Sequence, residues 1–328
     1  MTMQDRQDTS FSLVTYRVDG GARVGLVRAG RVWEVNEALA AEAAPGGIAS
    51  IRSMLDLLND WDRLLPRLRA AAGFLGDAAK EASLGLDQLA LLAPVPAPGK
   101  MMNVGLNFYD HAEEMGMEIP EGFRPNFFWK GDRNCIIGPS EKIRLSSDYV
   151  DWEAELAVVI GRAARNLEPE EAMGCVAGYT CHNDVTDRRL MMPEPGRLDF
   201  LAGKARDTFG PLGPSLVPAD QVPEVENLRI RCLVNGEVMQ DTGADRMIWG
   251  PARCIAALSK LFTLQPGDVI GLGTGAGVGW TKGMILGPGD LPKAVERMHQ
   301  GGGVFLRPGD TVAVEIPGVG RLENEVEA

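Results

Sequence analysis

Glu153 and Glu155 stand two residues apart immediately before the unbroken apolar run LAVVI (156–160), and this pairing constrains the fold more than any other stretch. In a β-strand alternate side chains share a face, so the two carboxylates point the same way. The apolar run directly behind them argues against a fully exposed strand. A second run, VAGYTCHND, ends on Asp184. Carboxylates crowded together repel, and burying them unpaired is unfavourable. A bound divalent cation relieves that penalty, and three hard oxygen ligands with water completing the shell suit Mg²⁺ or Mn²⁺. The plainer alternative is a solvated strand face with Asp184 capping a turn. The apolar run favours a metal site on Glu153, Glu155 and Asp184.

Around this centre the chain reads as α+β, mostly β. Residues 11–36 alternate apolar and polar, with turns at Gly20–Gly21 and Ala29–Gly30, which predicts a small antiparallel meander. Residues 48–73 carry apolar side chains at helical spacing, interrupted or kinked at Pro66. The segment APVPAPG places a boundary near residue 95, dividing a small N-terminal α+β domain (1–95) from a larger one (96–328). Beyond Met101, short strands are expected at KIRL, ELAVVIG, LRIRCLVNG, DVIGLG and TVAVEIPG, with helices over 168–178 and 248–262. Residues 193–197 are too rich in Pro and Gly for regular structure and read as a mobile loop near the site.

Several classes of function are disfavoured. No uninterrupted apolar segment approaches the ~20 residues of a membrane helix. The start MTMQDRQDTS lacks a basic stretch followed by an apolar one, so no signal peptide is expected and the reading is cytoplasmic. The five cysteines are scattered with no C-x-x-C pair, which suits reduced core thiols better than disulfides or a zinc site. A net charge of −12 argues against nucleic acid as a partner. It leaves an anionic substrate open, because a bound cation and local lysines can invert the field at a site.

Other groups suit acid–base work. His111 and Glu114 stand three apart in VGLNFYDHAEEMG, so on one helical turn the carboxylate could orient the imidazole as a general base. An incidental acid at a surface helix start is the alternative. His182 reads as structural, and His299 as a solvated side chain in a polar stretch. Lys204, between apolar and Gly/Pro-rich segments, could face a pocket and stabilise an oxyanion, although a surface lysine is the plainer reading. Lys130 follows three consecutive aromatics and could be directed inward. The run GLGTGAGVG (271–279) has no Walker lysine and no strand–helix unit with a later acid. A loop whose backbone N–H groups face a bound carboxylate is the more economical reading.

These segments together resemble the fumarylacetoacetate hydrolase family over roughly residues 98–328. The pieces stand in family order: VGLNFYDHAEEMG, PNFFWKGDRNCIIGP, DWEAELAVVIG, AGYTCHNDVTDRR, GKARDTFGPLGP, VNGEVMQ, LQPGDVIGLGTGAGVG and FLRPGDTVAVEIPGVGRLENEV. The resemblance implies a mixed β-sandwich roll, usually a homodimer, with the N-terminal residues as a small variable domain. It implies Glu153, Glu155 and Asp184 as ligands of a divalent metal, Mg²⁺ foremost, with Mn²⁺ or Ca²⁺ as substitutes. His111 and Glu114 match its water-activating dyad and Lys204 its oxyanion-stabilising lysine. Lys130, Arg188, Met191 and Thr274 fall around the substrate. Some positions depart from the family pattern. Met191 replaces a glutamine, Arg189 an acid and Gly275 the loop proline, while Val104 stands where some members carry a fourth carboxylate ligand. The segment 282–303 is longer than in short members. The activity implied is hydrolysis of a C–C bond in a β-diketo acid of acylpyruvate or fumarylpyruvate type, as in breakdown of aromatic compounds. Decarboxylase, hydratase or tautomerase action on a 2-oxo acid is the alternative, and a non-catalytic binding scaffold a more distant one.

Overall fold

The computed structural model describes residues 10–41, 50–75 and 82–328. The leader reading of residues 1–9 and the first two residues of the 48–73 segment lie outside these. The fold is α+β and mostly β, with two sheets packed face to face. In the larger sheet, Ala154–Ile160 lies at the centre, antiparallel to both Val176–Asn183 and Val269–Thr274. The order continues through Gly210–Pro218 to the meander on one side, and through Met101–Gly105 to Asn126–Gly131 on the other. The smaller sheet orders Glu237–Gly243, Arg229–Val234, Thr311–Ile316, Gly320–Glu327 and Ile143–Arg144.

The apolar run behind Glu155 follows from this layering. Leu156, Val158 and Ile160 face a core shared with Ile230, Cys232, Val312, Val314 and Leu322 of the smaller sheet. Ala157 and Val159 face a second core against Leu57, Leu58, Trp61, Leu64 and Leu68. A strand covered on both faces needs apolar residues at every position instead of alternating ones. Close approach of the neighbouring strand also fixes Gly178, because a Cβ there would lie 2.1 Å from the Val217 carbonyl oxygen.

The meander forms at Ser12–Val18, Gly21–Arg28 and Arg31–Glu34. Its second turn carries positive φ at Ala29 and Gly30, which matches the twist of a tight hairpin. The meander joins the catalytic sheet through Leu13 opposite Leu216. Residues before 95 therefore share a sheet and a core with those after it.

Two local expectations are corrected, and one helix was not foreseen. The break in the N-terminal helical segment falls at Asn59–Asp60, between helices Met54–Leu58 and Trp61–Phe74, and Pro66 sits inside the second. The helix expected over 168–178 ends at Ala172, followed by a single tight turn. From Val176 the β-branched and aromatic residues join the central sheet instead. The 282–303 segment contains a helix, Leu291–His299, that spacing did not reveal. The other expected helix forms at Pro251–Leu261, with proline in its first turn and Cys254, Ile255 and Leu258 buried.

The five cysteines are all free and buried, and among the described residues no helix is long and apolar enough to cross a membrane.

The shared core has a thermodynamic consequence. Leu13→Ala should destabilise the protein by about 2–5 kcal/mol, the usual range for a buried leucine. Calorimetry should still show one unfolding transition. A separate early transition for the meander would contradict a common core.

Candidate active site

Strand pairing brings the carboxylates together. Ala154 lies opposite Asn183, so Glu153 and Asp184 extend the two paired strands at the same end. The Asp184 N–H donates to the Glu153 carbonyl at 2.8 Å, and the Asn183 side chain accepts from the Glu153 N–H at 3.0 Å. Carboxylate oxygens of Glu153, Glu155 and Asp184 lie within 4.8 Å of one another, and all three residues are buried.

Cations surround two of these acids. Lys204 ends the short helix Phe200–Lys204 and donates to Glu153 at 2.8 Å and to Asp184 at 2.6 Å. Lys130 pairs with Asp184 at 2.7 Å and donates to the Val185 carbonyl at 2.8 Å. Arg188 pairs with Glu153 at 2.7 Å through Nη1 and with Asp151 at 2.8 Å through Nε. Burial alone would raise both Glu153 and Asp184. For Glu153, Lys204 and Arg188 outweigh burial and hold the carboxyl below its usual range. For Asp184, Lys130 and Lys204 do the same. The same ion pairs outweigh burial at Lys204 and raise its pKa, which keeps it an ammonium.

Glu155 differs. It has no ion pair among the described residues, and Asn103 Nδ2 stands 3.5 Å away. Burial and the adjacent Asp184 and Glu153 push its carboxyl well above the usual range. Four buried acids (Asp151, Glu153, Glu155, Asp184) face three cations (Lys130, Arg188, Lys204), so full ionisation leaves one negative charge, 4 − 3. The uncompensated carboxylate and the all-oxygen donor set fit a hard divalent cation held by Glu153, Glu155 and Asp184.

A cavity of about 190 Å³ opens beside this cluster, with Glu153, Arg188 and Lys204 in its wall. The rest of the lining is largely apolar, including Met115, Met117, Met191, Met192, Phe200 and Trp280. His111 lines it from the helix Tyr109–Glu114, with Nδ1 3.1 Å from Glu114 Oε2. Glu114 is itself fixed, since its Oε1 accepts from the Gly277 N–H at 3.0 Å and the Thr281 hydroxyl at 2.7 Å. A proton on Nδ1 facing the carboxylate leaves Nε2 as the basic ring nitrogen.

The structure thus brings His111, Glu153, Arg188, Met191, Lys204 and Thr274 to one cavity, with Glu114 behind His111 and Glu155 and Asp184 behind the carboxylate cluster. Lys130 points inward as a counter-ion of Asp184 but does not line the cavity. Thr274 lines it with its hydroxyl already engaged, donating to the Ala154 carbonyl at 2.9 Å and accepting from Gln240 at 2.8 Å. The glycine-rich loop is also committed. Its N–H groups serve protein carboxylates, Gly277 on Glu114 and Gly279 and Trp280 on Asp151. Gly275 packs against Thr242, where a Cβ would lie 2.4 Å from Cγ2.

His182 is buried between the Pro211 carbonyl at 2.8 Å and Asn103 at 3.0 Å, and burial lowers its pKa to about 4. His299, expected to be solvated, is half-buried and bonds the Met192 carbonyl at 2.7 Å. Sequence reasoning missed Asp151, Gln240 and Thr281. Asp151 alone carried a signal, two residues before Glu153 in the same alternation.

A cavity with convergent charged groups and a histidine–carboxylate pair is the arrangement of an enzyme active site. Residues 100–327 match the Fumarylacetoacetate (FAA) hydrolase C-terminal family, and the chain belongs to that family. It is 38% identical over 281 residues to a mitochondrial oxaloacetate tautomerase of Xenopus laevis, covering 82% of this chain and 81% of that protein. It is also 38% identical to a human mitochondrial oxaloacetate tautomerase, covering 84% of this chain and 80% of that one. Among solved structures, a fumarylacetoacetate hydrolase from Exiguobacterium antarcticum matches with TM-score 0.74 and 30% identity, covering 97% of this chain and 100% of that one. A maleylpyruvate hydrolase from Sphingobium, in complex with manganese(II) and pyruvate, matches with TM-score 0.69 and 27% identity, covering 96% and 98%. The mitochondrial relatives overturn the expectation of a cytoplasmic protein. That expectation rested on the lack of a recognisable leader in the first ten residues.

The raised Glu155 carboxyl sets the pH behaviour of metal-free protein. A group whose pKa is raised on folding contributes stability that is full below its unfolded value and lost as pH rises through the folded one. From an ordinary glutamate value of 4.5, the loss begins above about pH 4.5 and runs upward toward the raised value. Melting temperature in chelator should therefore fall with rising pH, and Glu155→Gln should flatten the slope. Added Mg²⁺ should raise the wild-type melting temperature most at high pH and the variant's far less. A wild-type slope equal to the variant's would show that Glu155 is not the uncompensated group.

Proposed function

We propose that this protein is a metal-dependent 2-oxo acid tautomerase that interconverts the keto and enol forms of oxaloacetate. The observation that carries the reading is the similarity, 36–38% over at least four fifths of each relative, to proteins named oxaloacetate tautomerases. The cavity supports it: at about 190 Å³ it falls below the ~300–1,000 Å³ of pockets for drug-sized ligands. A four-carbon diacid suits that space better than a long acylpyruvate does. Arg188 supports it as well, because its buried Nη2 has no hydrogen-bond partner and the residue lines the cavity. In this reading the Arg188 guanidinium takes the second carboxylate of a diacid.

Mg²⁺ on Glu153, Glu155 and Asp184 would polarise the 2-oxo group and acidify the neighbouring C–H. His111, aligned by Glu114, takes the proton from carbon 3 through Nε2. The protonated His111 then delivers that proton to the oxo oxygen, which restores the neutral imidazole and consumes no water. Lys204, kept charged by its two carboxylates, stabilises the negative charge that develops on oxygen. We read the assembly as a homodimer.

A second reading, acylpyruvate hydrolysis, is favoured by the structural likeness to a maleylpyruvate hydrolase. It uses the same groups, with His111 drawing the proton from water. Oxaloacetate enol decay followed by absorbance should be accelerated with Mg²⁺ and return to the uncatalysed rate in chelator. His111→Ala should reduce the enzymatic rate by about 10²–10⁴, the usual contribution of a positioned base, and Glu114→Gln by less. Cleavage of acylpyruvates to pyruvate and a free acid, without acceleration of enol decay, would establish the hydrolase instead.

A further inference from the structure

The segment 282–303 lies outside the chemistry described above, yet it touches the cavity at several points. Leu291, the first residue of helix Leu291–His299, lines the cavity. Ala294, Val295 and Met298 of the same helix pack with Met191, Met192 and Trp280. At its last turn, His299 bonds the Met192 carbonyl at 2.7 Å. Ahead of the helix, Gly287 abuts Gly116, where a Cβ would lie 2.4 Å from the Gly287 carbonyl oxygen. Gly116 separates Met115 from Met117, both of which line the cavity. The segment is tied back beyond the helix, where the Val304 N–H donates to the Gly279 carbonyl at 2.8 Å.

One element therefore braces both methionine pairs and supplies a wall residue of its own. Methionine has three rotatable bonds, so a wall built from it adapts unless something behind it holds it in place. The helix and its histidine provide that backing.

We infer that helix Leu291–His299 is the length gauge of the cavity. Leu291 sets how far a 2-oxo acid can extend, and His299 is a positioning residue that fixes Met192 and through it the methionine wall. The site so built takes short 2-oxo acids and rejects those with an extended apolar tail. This rests on the proposed function for the 2-oxo acid class alone, and binding tests it without turnover.

The measurement is calorimetric affinity for pyruvate and for 2-oxooctanoate in excess Mg²⁺, read as the ratio of the two dissociation constants. The wild type should favour pyruvate. Leu291→Ala should shift the ratio toward the long acid by about tenfold or more, as expected when a pocket gains room for added methylenes. Leu291→Phe should move it the other way. His299→Ala should shift it in the same direction as Leu291→Ala but by less, and His299→Gln, whose amide can donate to the Met192 carbonyl, should restore it. Thermal melting confirms that each variant is folded. An unchanged ratio in folded Leu291→Ala and Leu291→Phe, or a wild type indifferent to length, overturns the gauge. The predicted shifts in a protein that leaves oxaloacetate enol decay unaccelerated would support the gauge and count against the proposed activity.

Discussion

Lys204 holds the centre of this molecule together. Its ammonium bridges Glu153 and Asp184, two acids that strand pairing forces to the same end of the sheet. Without that bridge the pair would bring like charges together in a buried site, where repulsion is weakly screened. The bridge also fixes where the short helix Phe200–Lys204 must lie, and with it Phe200, which stacks on Phe128 at 4.7 Å between ring centres. Gly203 lets that helix close onto Met191, since a Cβ there would lie 2.4 Å from the Met191 Cβ. Cluster, helix and cavity wall are consequences of one ion-paired arrangement.

Glu155 then carries a different burden from its neighbours. Glu153 and Asp184 are compensated by protein cations, whereas Glu155 depends on what the site binds. A cluster one cation short is primed for a divalent ion and becomes net positive once that ion arrives, which suits an anionic substrate in a chain of net charge −12.

Much of this was legible in the sequence because it is local. Glu153 and Glu155 announce themselves by alternation, His111 and Glu114 by helical spacing, and the meander by its turns. What stayed hidden depends on contacts between distant segments. Gln240 holds Thr274 and the Ala154 N–H from a strand of the other sheet, and the segment VNGEVMQ that ends on it gave no spacing that points to this role. Thr281 meets Glu114 across 167 positions. The helix Leu291–His299 carries proline at its second position and is flanked by nearby glycines, so local punctuation masked it. Residues 176–178 went the other way, as tertiary pairing drew them out of the expected helix and into the sheet.

The glycine-rich loop has a consequence for how this site can change. Its amides hold Glu114 at Gly277 and Asp151 at Gly279 and Trp280, within four consecutive residues. Asp151 in turn orients Arg188, which grips Glu153. The His111–Glu114 pair and the charged cluster are thus hung from one short piece of backbone. A substitution that bends this loop displaces both at once, whereas the methionine wall hangs from other stretches of backbone and can change shape without moving either.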